Sequence, residues 1–290
     1  MLKIIADSSC DLSLSYLQEN DVILLPLSVE LDGKTYADRV EMKPEEIFPA
    51  MEKGGQPKTS QVSPDKFLDL FTELAKNDEA GIYFPIASEL SGTYSTACMI
   101  RDQVLETYPN LNLTIVDTKS VSLGLGLLVK AAVDLKNEGK SMDEIEAIIL
   151  EKSTRMEHLF TVGNLEYLAR GGRISKTSAV VGGLLNIKPI LNVDATGKLE
   201  AIDKVRGHKK SITRIIDLME QRGHNLVNQK IGIIHSYVPD FAKEVQTAIE
   251  ARFTPVGFEV YEIGAVIGSH VGPGTIGLFF ESEDRVKNQQ

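Results

Sequence analysis

The chain is short of cysteine, of long apolar runs and of positive charge, and each shortage removes a class of protein. Its two cysteines, Cys10 and Cys98, lie far apart and make no metal-ligand spacing. The simpler expectation is a cytoplasmic protein with reduced thiols. The longest apolar stretches, Val22 to Leu27 and Ala179 to Ile187, fall short of the roughly 20 residues a membrane span needs. The opening Met-Leu-Lys-Ile-Ile-Ala-Asp reads as a strand, with too little apolar length and no small-residue cleavage site for a secretory signal. Against 41 acidic residues stand 31 basic ones, a net charge of −10, so the phosphate backbone of nucleic acid has no electrostatic footprint here.

Several catalytic signatures are absent too. There is no internal repeat, no G-x-x-x-x-G-K-[ST] and no G-x-S-x-G, so neither a P-loop nor a nucleophile elbow is encoded. Gly272 to Gly277 spells G-x-G-x-x-G, but it precedes a strand and opens no helix, so it is no dinucleotide fingerprint. No segment offers a place for ATP and magnesium. None of the five histidines pairs with another histidine or a cysteine at metal spacing, and no cofactor is expected.

What is present is a two-domain pattern in 290 residues, 42% hydrophobic and 25% charged. Apolar runs at Lys3 to Ala6, Val22 to Leu25, Gly81 to Phe84 and Leu113 to Val116 read as strands buried on both faces. Between them Ser63-Pro64 opens a helix carrying Phe67, Leu68, Leu70, Phe71 and Leu74. Ser141 and Glu144 spell a capping box, and Gly139 ends the helix before it. Strand–helix alternation predicts a parallel sheet between helix layers.

The second half differs. Glycine pairs stand at Gly171-Gly172 and Gly182-Gly183. Pro189 to Val193 and Lys198 to Asp203 flank a turn and predict a hairpin. Helices near Lys209 to Gln221 and Pro239 to Ala251 each precede a strand, at Lys230 to Ile234 and Gly257 to Ile263, and a last strand follows at Ile276 to Phe280. The fold class is α/β: a parallel-sheet α/β/α domain over residues 1–155 and a smaller mixed-sheet α/β domain over 156–290. The polar tail from Glu281 onward is expected to fray.

Four segments carry more hydroxyls than packing requires: Asp7-Ser8-Ser9-Cys10-Asp11, Pro57-Lys58-Thr59-Ser60-Gln61, Ser88 to Thr93, and Asp117-Thr118-Lys119-Ser120. Three of them follow strands, at the sheet edge where open α/β folds bind ligands. Hydroxyls and free amides there suit a carboxylate or phosphate. The plainer alternative for any one segment is helix capping and turn formation. Basic residues gather at Arg170-Gly171-Gly172-Arg173, read as a non-helical loop, and at Lys204 to Lys210 with Arg206 among them. In an acidic chain their convergence would make an anion site or a docking patch; the plainer alternative, which suits Lys209 and Lys210 better, is a solvated helix end. His270 sits in a glycine-dense stretch read as a loop, whose glycines let the backbone approach a ligand closely.

These segments together resemble the DegV family, the fatty-acid-binding proteins of bacterial fatty acid kinases. The matching pieces run in order from Ile5-Ala6-Asp7-Ser8-Ser9 through Pro57 to Gln61, Leu90 to Tyr94, Gly124-Leu125-Gly126, Leu165 to Leu168, Gly171 to Ile174 and Leu185 to Leu191, to His270-Val271-Gly272-Pro273-Gly274. Departures are Ala87-Ser88, where the family often has two serines, and Cys10, where serine is common.

The resemblance implies an acyl chain buried between the two domains. Its carboxylate would be held by Thr59 or Ser60, by Ser91 with Gly92 and Thr93, and by His270. Arg170, Arg173 and Arg206 would meet the kinase or the acyl phosphate. The chain would be the non-catalytic lipid-carrying subunit, with transient membrane contact to load it, and a separate fatty acid kinase would supply ATP, magnesium and phosphoryl transfer. Two other readings stay open. One is a stand-alone hydrolase or phosphotransferase acting on a small anion through Asp7, Asp117 or His270, the two aspartates being possible metal ligands at strand ends. The other is a lipid transporter or sensor with no kinase.

Overall fold

The computed structural model describes residues 1–174 and 187–285. The Gly182-Gly183 pair and the start of the Leu185 to Leu191 segment lie outside these residues.

The apolar run Leu2–Asp7 forms β1, with Ile4, Ile5 and Ala6 wholly buried. It pairs in parallel with β2 (Val22–Leu25), Ile4 standing opposite Val22. A three-stranded antiparallel sheet follows: β3 (Ser28–Leu31) lies between β4 (Lys34–Ala37) and β5 (Lys58–Ser60). Strands β6 (Ala80–Phe84) and β7 (Asn112–Ile115) complete a parallel sheet in the order β2-β1-β6-β7. The helix Pro64–Lys76 buries Phe67, Phe71 and Leu74. The rings of Phe67 and Phe71 stand 5.5 Å apart, and those of Phe67 and Tyr83 5.7 Å apart. Fully burying one such side chain stabilises the fold by about 1.5–3 kcal/mol. Ser63 precedes this helix without a side-chain capping bond, so Pro64 alone marks its start. Ser141 and Glu144 do form the reciprocal capping box, Ser141 N–H donating to Glu144 at 2.9 Å and Glu144 N–H to Ser141 at 3.3 Å.

Strands β8 (Met156–Thr161), β9 (Ile187–Val193), β10 (Leu199–Arg206), β11 (Lys230–His235), β12 (Gly257–Glu262) and β13 (Ile276–Glu281) form a mixed sheet in the order β10-β9-β8-β13-β11-β12. Only β11 and β12 run parallel. The β9–β10 hairpin is closed by Asp194, whose carboxylate accepts from the N–H groups of Thr196 and Lys198 at 2.8 and 2.9 Å. The helices His208–Arg222 and Pro239–Phe253 cover one face with Ile215, Met219, Val245 and Ile249.

The opposite face turns toward the parallel sheet. The helix Leu123–Asn137 packs against β1 and also against β8, β11 and β13. Of the tail expected to fray, residues 281–285 are held in place, and the remainder lies outside the described residues. Arg285 is 2% exposed, and its guanidinium donates to the carbonyls of Lys119 and Met156 at 3.4 and 3.3 Å. Local polarity hid a clamp that only tertiary contacts create.

Candidate functional site

Between the two large sheets lies a pocket enclosing about 860 Å³, its open mouth included. That is within the range of small-molecule sites. The loops after β6 and β7 supply Ile86, Leu90 and Val121, the mixed sheet supplies Phe160, Val193, Leu199, Ile234 and Phe279, and the segment around helix Ala265–Val271 supplies Ile263, Val266 and Ile267. Polar side chains also line it: Thr59, Ser60, Gln61, Ser91, Ser122, His158, Arg173, His270 and Thr275.

Thr59 comes from β5, a strand too short and polar to be read from sequence. His270 lies in the last turn of helix Ala265–Val271, not in the loop expected for it. The helix was missed because its first N–H groups are capped from far along the chain. Asp11 accepts from Gly264 N–H at 2.8 Å, and Asp38 accepts from Ala265 and Val266 N–H at 2.8 and 3.3 Å. Such donors have no partner within a helix. The surrounding glycines mostly serve ring packing: a methyl on Gly268 would lie 2.7 Å from Phe48, and one on Gly272 2.3 Å from Tyr167. Gly277 alone of that stretch lines the pocket.

Thr59 Oγ1 and His270 Nε2 stand 2.7 Å apart. Burial, and then the charge of Arg173, push His270 down to about 4, so the ring is neutral at pH 7. Its Nδ1 is buried and has no hydrogen-bond partner among the described residues, and a methyl on Gly171 would lie 2.1 Å from it. Buried N–H groups without partners are rarer than buried acceptors without them. The consistent tautomer therefore carries its proton on Nε2 and donates to Thr59. The Thr59 hydroxyl is then free to donate to a ligand.

Ser91 Oγ lies 2.9 Å from Thr93 Oγ1 and accepts from Thr93 N–H at 3.3 Å. Thr93 is buried and opens helix Thr93–Thr107 after Gly92. Neither Gly92 nor Thr93 lines the pocket; both support Ser91 from behind. A methyl on Gly92 would lie 2.5 Å from the Gln61 side-chain oxygen, while the Gln61 amide donates to Thr96 at 2.8 Å. Gln61 was not among the expected ligand residues, although it sits in the same short segment as Thr59.

The three arginines part company. Arg173 lines the pocket and donates to the carbonyls of Leu90 and Gly171 at 3.1 and 2.5 Å. Arg170 is exposed, 5.4 Å from the Tyr167 ring, and ends the helix Glu166–Arg170 rather than standing in a loop. Arg206 is exposed at the end of β10.

Asp7 and Asp117 do not line the pocket. Asp7 is buried, bonded to Ile86 N–H at 2.8 Å, to Tyr83 and to Ser9, and burial pushes it up to about 6. Asp117 pairs with Lys119 at 2.5 Å. Among the described residues no three His, Cys, Asp or Glu side chains group closely enough to hold a metal ion, and no helix is long and apolar enough to cross a membrane. His158 is a further buried imidazole. Its Nδ1–H donates to Met156 at 3.0 Å, and burial with the charge of Arg285 pushes it down to about 3.

Fold and site define an α/β protein with a parallel sheet, a mixed sheet and, between them, an apolar pocket that carries a neutral hydroxyl–imidazole pair and an arginine on its wall. The chain belongs to the DegV family: the family model described as "Uncharacterised protein, DegV family" matches residues 1–283. A DegV domain-containing protein of Clostridium perfringens is 38% identical over 279 residues, 96% of each chain. Among solved structures, a fatty-acid-binding DegV family protein of Thermus thermophilus superposes with a TM-score of 0.84 at 32% identity, covering 97% of this chain and 99% of that one. A stearic acid-binding protein of Eubacterium ventriosum gives a TM-score of 0.89 at 29% identity, covering 98% and 99%. The parallel sheet and the separate mixed sheet agree with the two-domain form of these structures.

Proposed function

We propose that this chain binds one long-chain fatty acid in the pocket between its sheets and presents the carboxylate to a separate ATP-dependent fatty acid kinase, which forms the acyl phosphate. The observation that carries the reading is an apolar pocket with the Thr59–His270 pair on its wall beside Ser60, Ser91 and Arg173. Thr59 and Ser91 donate hydroxyl bonds to the carboxylate, His270 fixes Thr59, and Arg173 supplies the counter-charge. The apolar walls take the alkyl chain. Each buried methylene is worth about 0.8 kcal/mol, so about 15 of them give about 12 kcal/mol before the costs of binding. Relatives that bind fatty acids support the ligand class.

The sequence carries no nucleotide-binding motif, which fits a subunit that carries a substrate rather than one that phosphorylates it. Arg170 and Arg206, exposed, meet the kinase, and Arg173 serves the acyl phosphate. Loading takes place in the cytoplasm, by transient contact with a membrane surface. The rival hydrolase would act through Asp7, Asp117 or His270; neither aspartate lines the pocket, and His270, which does, is engaged with Thr59.

The test is native mass spectrometry of the purified protein, then organic extraction, then addition of ATP with and without a fatty acid kinase. A stoichiometric fatty acid, converted to acyl phosphate only with the kinase present, is expected. An empty protein, a nucleotide ligand, or turnover of a phosphate or ester substrate by the chain alone would overturn the proposal.

A further inference from the structure

No side chain of the Asp7 to Asp11 segment lines the pocket, yet Asp11 acts on it from behind. Asp11 is wholly buried. One of its oxygens accepts from Gly264 N–H at 2.8 Å and faces Arg39 at 3.4 Å; the other accepts from the Ser122 hydroxyl at 2.7 Å. Asp38, also wholly buried, takes the next two N–H groups, those of Ala265 and Val266. Arg39 in turn donates to the carbonyl of Glu262 at 3.3 Å. Three successive N–H groups at the head of helix Ala265–Val271 are thus gripped by carboxylates that precede them by 253 and 227 positions. The last turn of that helix carries His270.

A seven-residue helix has little stability of its own. Its direction is set by what holds its ends and its apolar face. At its end the His270 ring is hydrogen-bonded to Thr59, and its other nitrogen has no partner among the described residues. A small tilt of the helix would therefore break the pair that leaves the Thr59 hydroxyl free for a ligand.

We propose that Asp11 and Asp38 are positioning residues for the ligand's carboxylate, aiming the helix that carries His270 so that the Thr59–His270 pair forms. This rests on the carboxylate site proposed above. Both residues act through the helix and touch no ligand.

The test compares hexadecanoic acid with hexadecanol, which shares the chain and lacks the charge, on the parent protein and on Asp38→Ala, Asp38→Asn and Asp11→Asn. Asp38→Ala is expected to weaken the acid roughly tenfold or more, the size of one charge-assisted hydrogen bond, while the alcohol changes much less. Asp38→Asn keeps an oxygen acceptor for Ala265 and Val266 and is expected to restore most of the acid affinity. Asp11→Asn keeps size and shape but loses the charge facing Arg39 and leaves one oxygen where Gly264 and Ser122 used two; it is expected to reduce the preference for acid over alcohol, and it stands as the test should Asp38→Ala fail to fold. Equal loss of acid and alcohol, or no loss of acid in any variant, would overturn the positioning role. A parent protein with no preference for the acid would instead overturn the carboxylate site itself, so the two failures are distinguishable.

Discussion

Thr59 and His270 share a 2.7 Å hydrogen bond although 211 positions separate them. One hangs from a three-residue strand and the other from a seven-residue helix. Neither element is stable alone, so the bond reports the packing of the whole chain.

Thr59→Val removes the hydroxyl and keeps the shape. On the proposed function it weakens fatty-acid binding by about 1.5–3 kcal/mol, roughly 10- to 150-fold. Displacement of a fluorescent fatty acid measures it, and an unchanged affinity would remove Thr59 from the site.

Gly171→Ala and Gly124→Ala test the two imidazoles. The new methyl would lie 2.1 Å from His270 Nδ1 in the first and 2.3 Å from His158 Nε2 in the second. Overpacking of this kind costs about 1–3 kcal/mol. Gly257 has nothing within 4 Å of such a methyl, so Gly257→Ala is expected to leave stability nearly unchanged. Urea unfolding of the three variants checks the contrast.

The pH dependence of stability has two opposed parts. His270 and His158 are pushed from 6.5 down to about 4 and about 3, so the unfolded chain takes up protons that the folded one refuses. Their contribution to stability is lost as pH falls below about 6.5. Asp7 and Asp11 are pushed from 3.8 up to about 6 and about 7 by burial, Asp11 with Asp38 adding to the rise and Arg39, Ser122 and Gly264 opposing it. The folded chain holds their protons longer, so their contribution is lost as pH rises from about 4 to 7. The two parts offset each other between pH 4 and 6.5. Asp11→Asn removes one, and its stability is expected to climb with pH more steeply than the parent's, by up to about 1.4 kcal/mol per pH unit. Parallel profiles would show that Asp11 does not titrate in this range.

On the proposed function, Arg206→Ala leaves fatty-acid content unchanged and slows acyl-phosphate formation by an added kinase, since Arg206 is exposed and does not line the pocket. Arg173→Ala, at the pocket, is expected to reduce both. Lipid content after extraction separates the two, and an Arg206→Ala protein that comes out empty would place Arg206 in the ligand site.

The main strands and helices were legible because burial on both faces leaves unbroken apolar runs, as in Leu2–Asp7, and because caps such as Ser141 with Glu144 are local. The strands β3, β4 and β5 were not, since they are three or four residues long and half polar. The helix Ala265–Val271 was hidden for another reason: its caps, Asp11 and Asp38, lie at the other end of the chain. Of the site, the hydroxyl segments were visible as residue types, three of them after strands, and His270 as a lone histidine in a glycine-dense stretch. That Arg173 lines the pocket while Arg170 and Arg206 stand outside it depends on three-dimensional packing, which spacing does not encode.

The helix carrying His270 follows almost the whole chain, and its caps come from the beginning. During synthesis the N-terminal part emerges first, carrying Thr59, Asp11 and Asp38 before the helix they hold has been made. Only when His270 has left the ribosome does the pair with Thr59 close. The Thr59–His270 pair is therefore a late contact, and a product cut before this helix lacks Val266, Ile267 and His270 from the pocket wall.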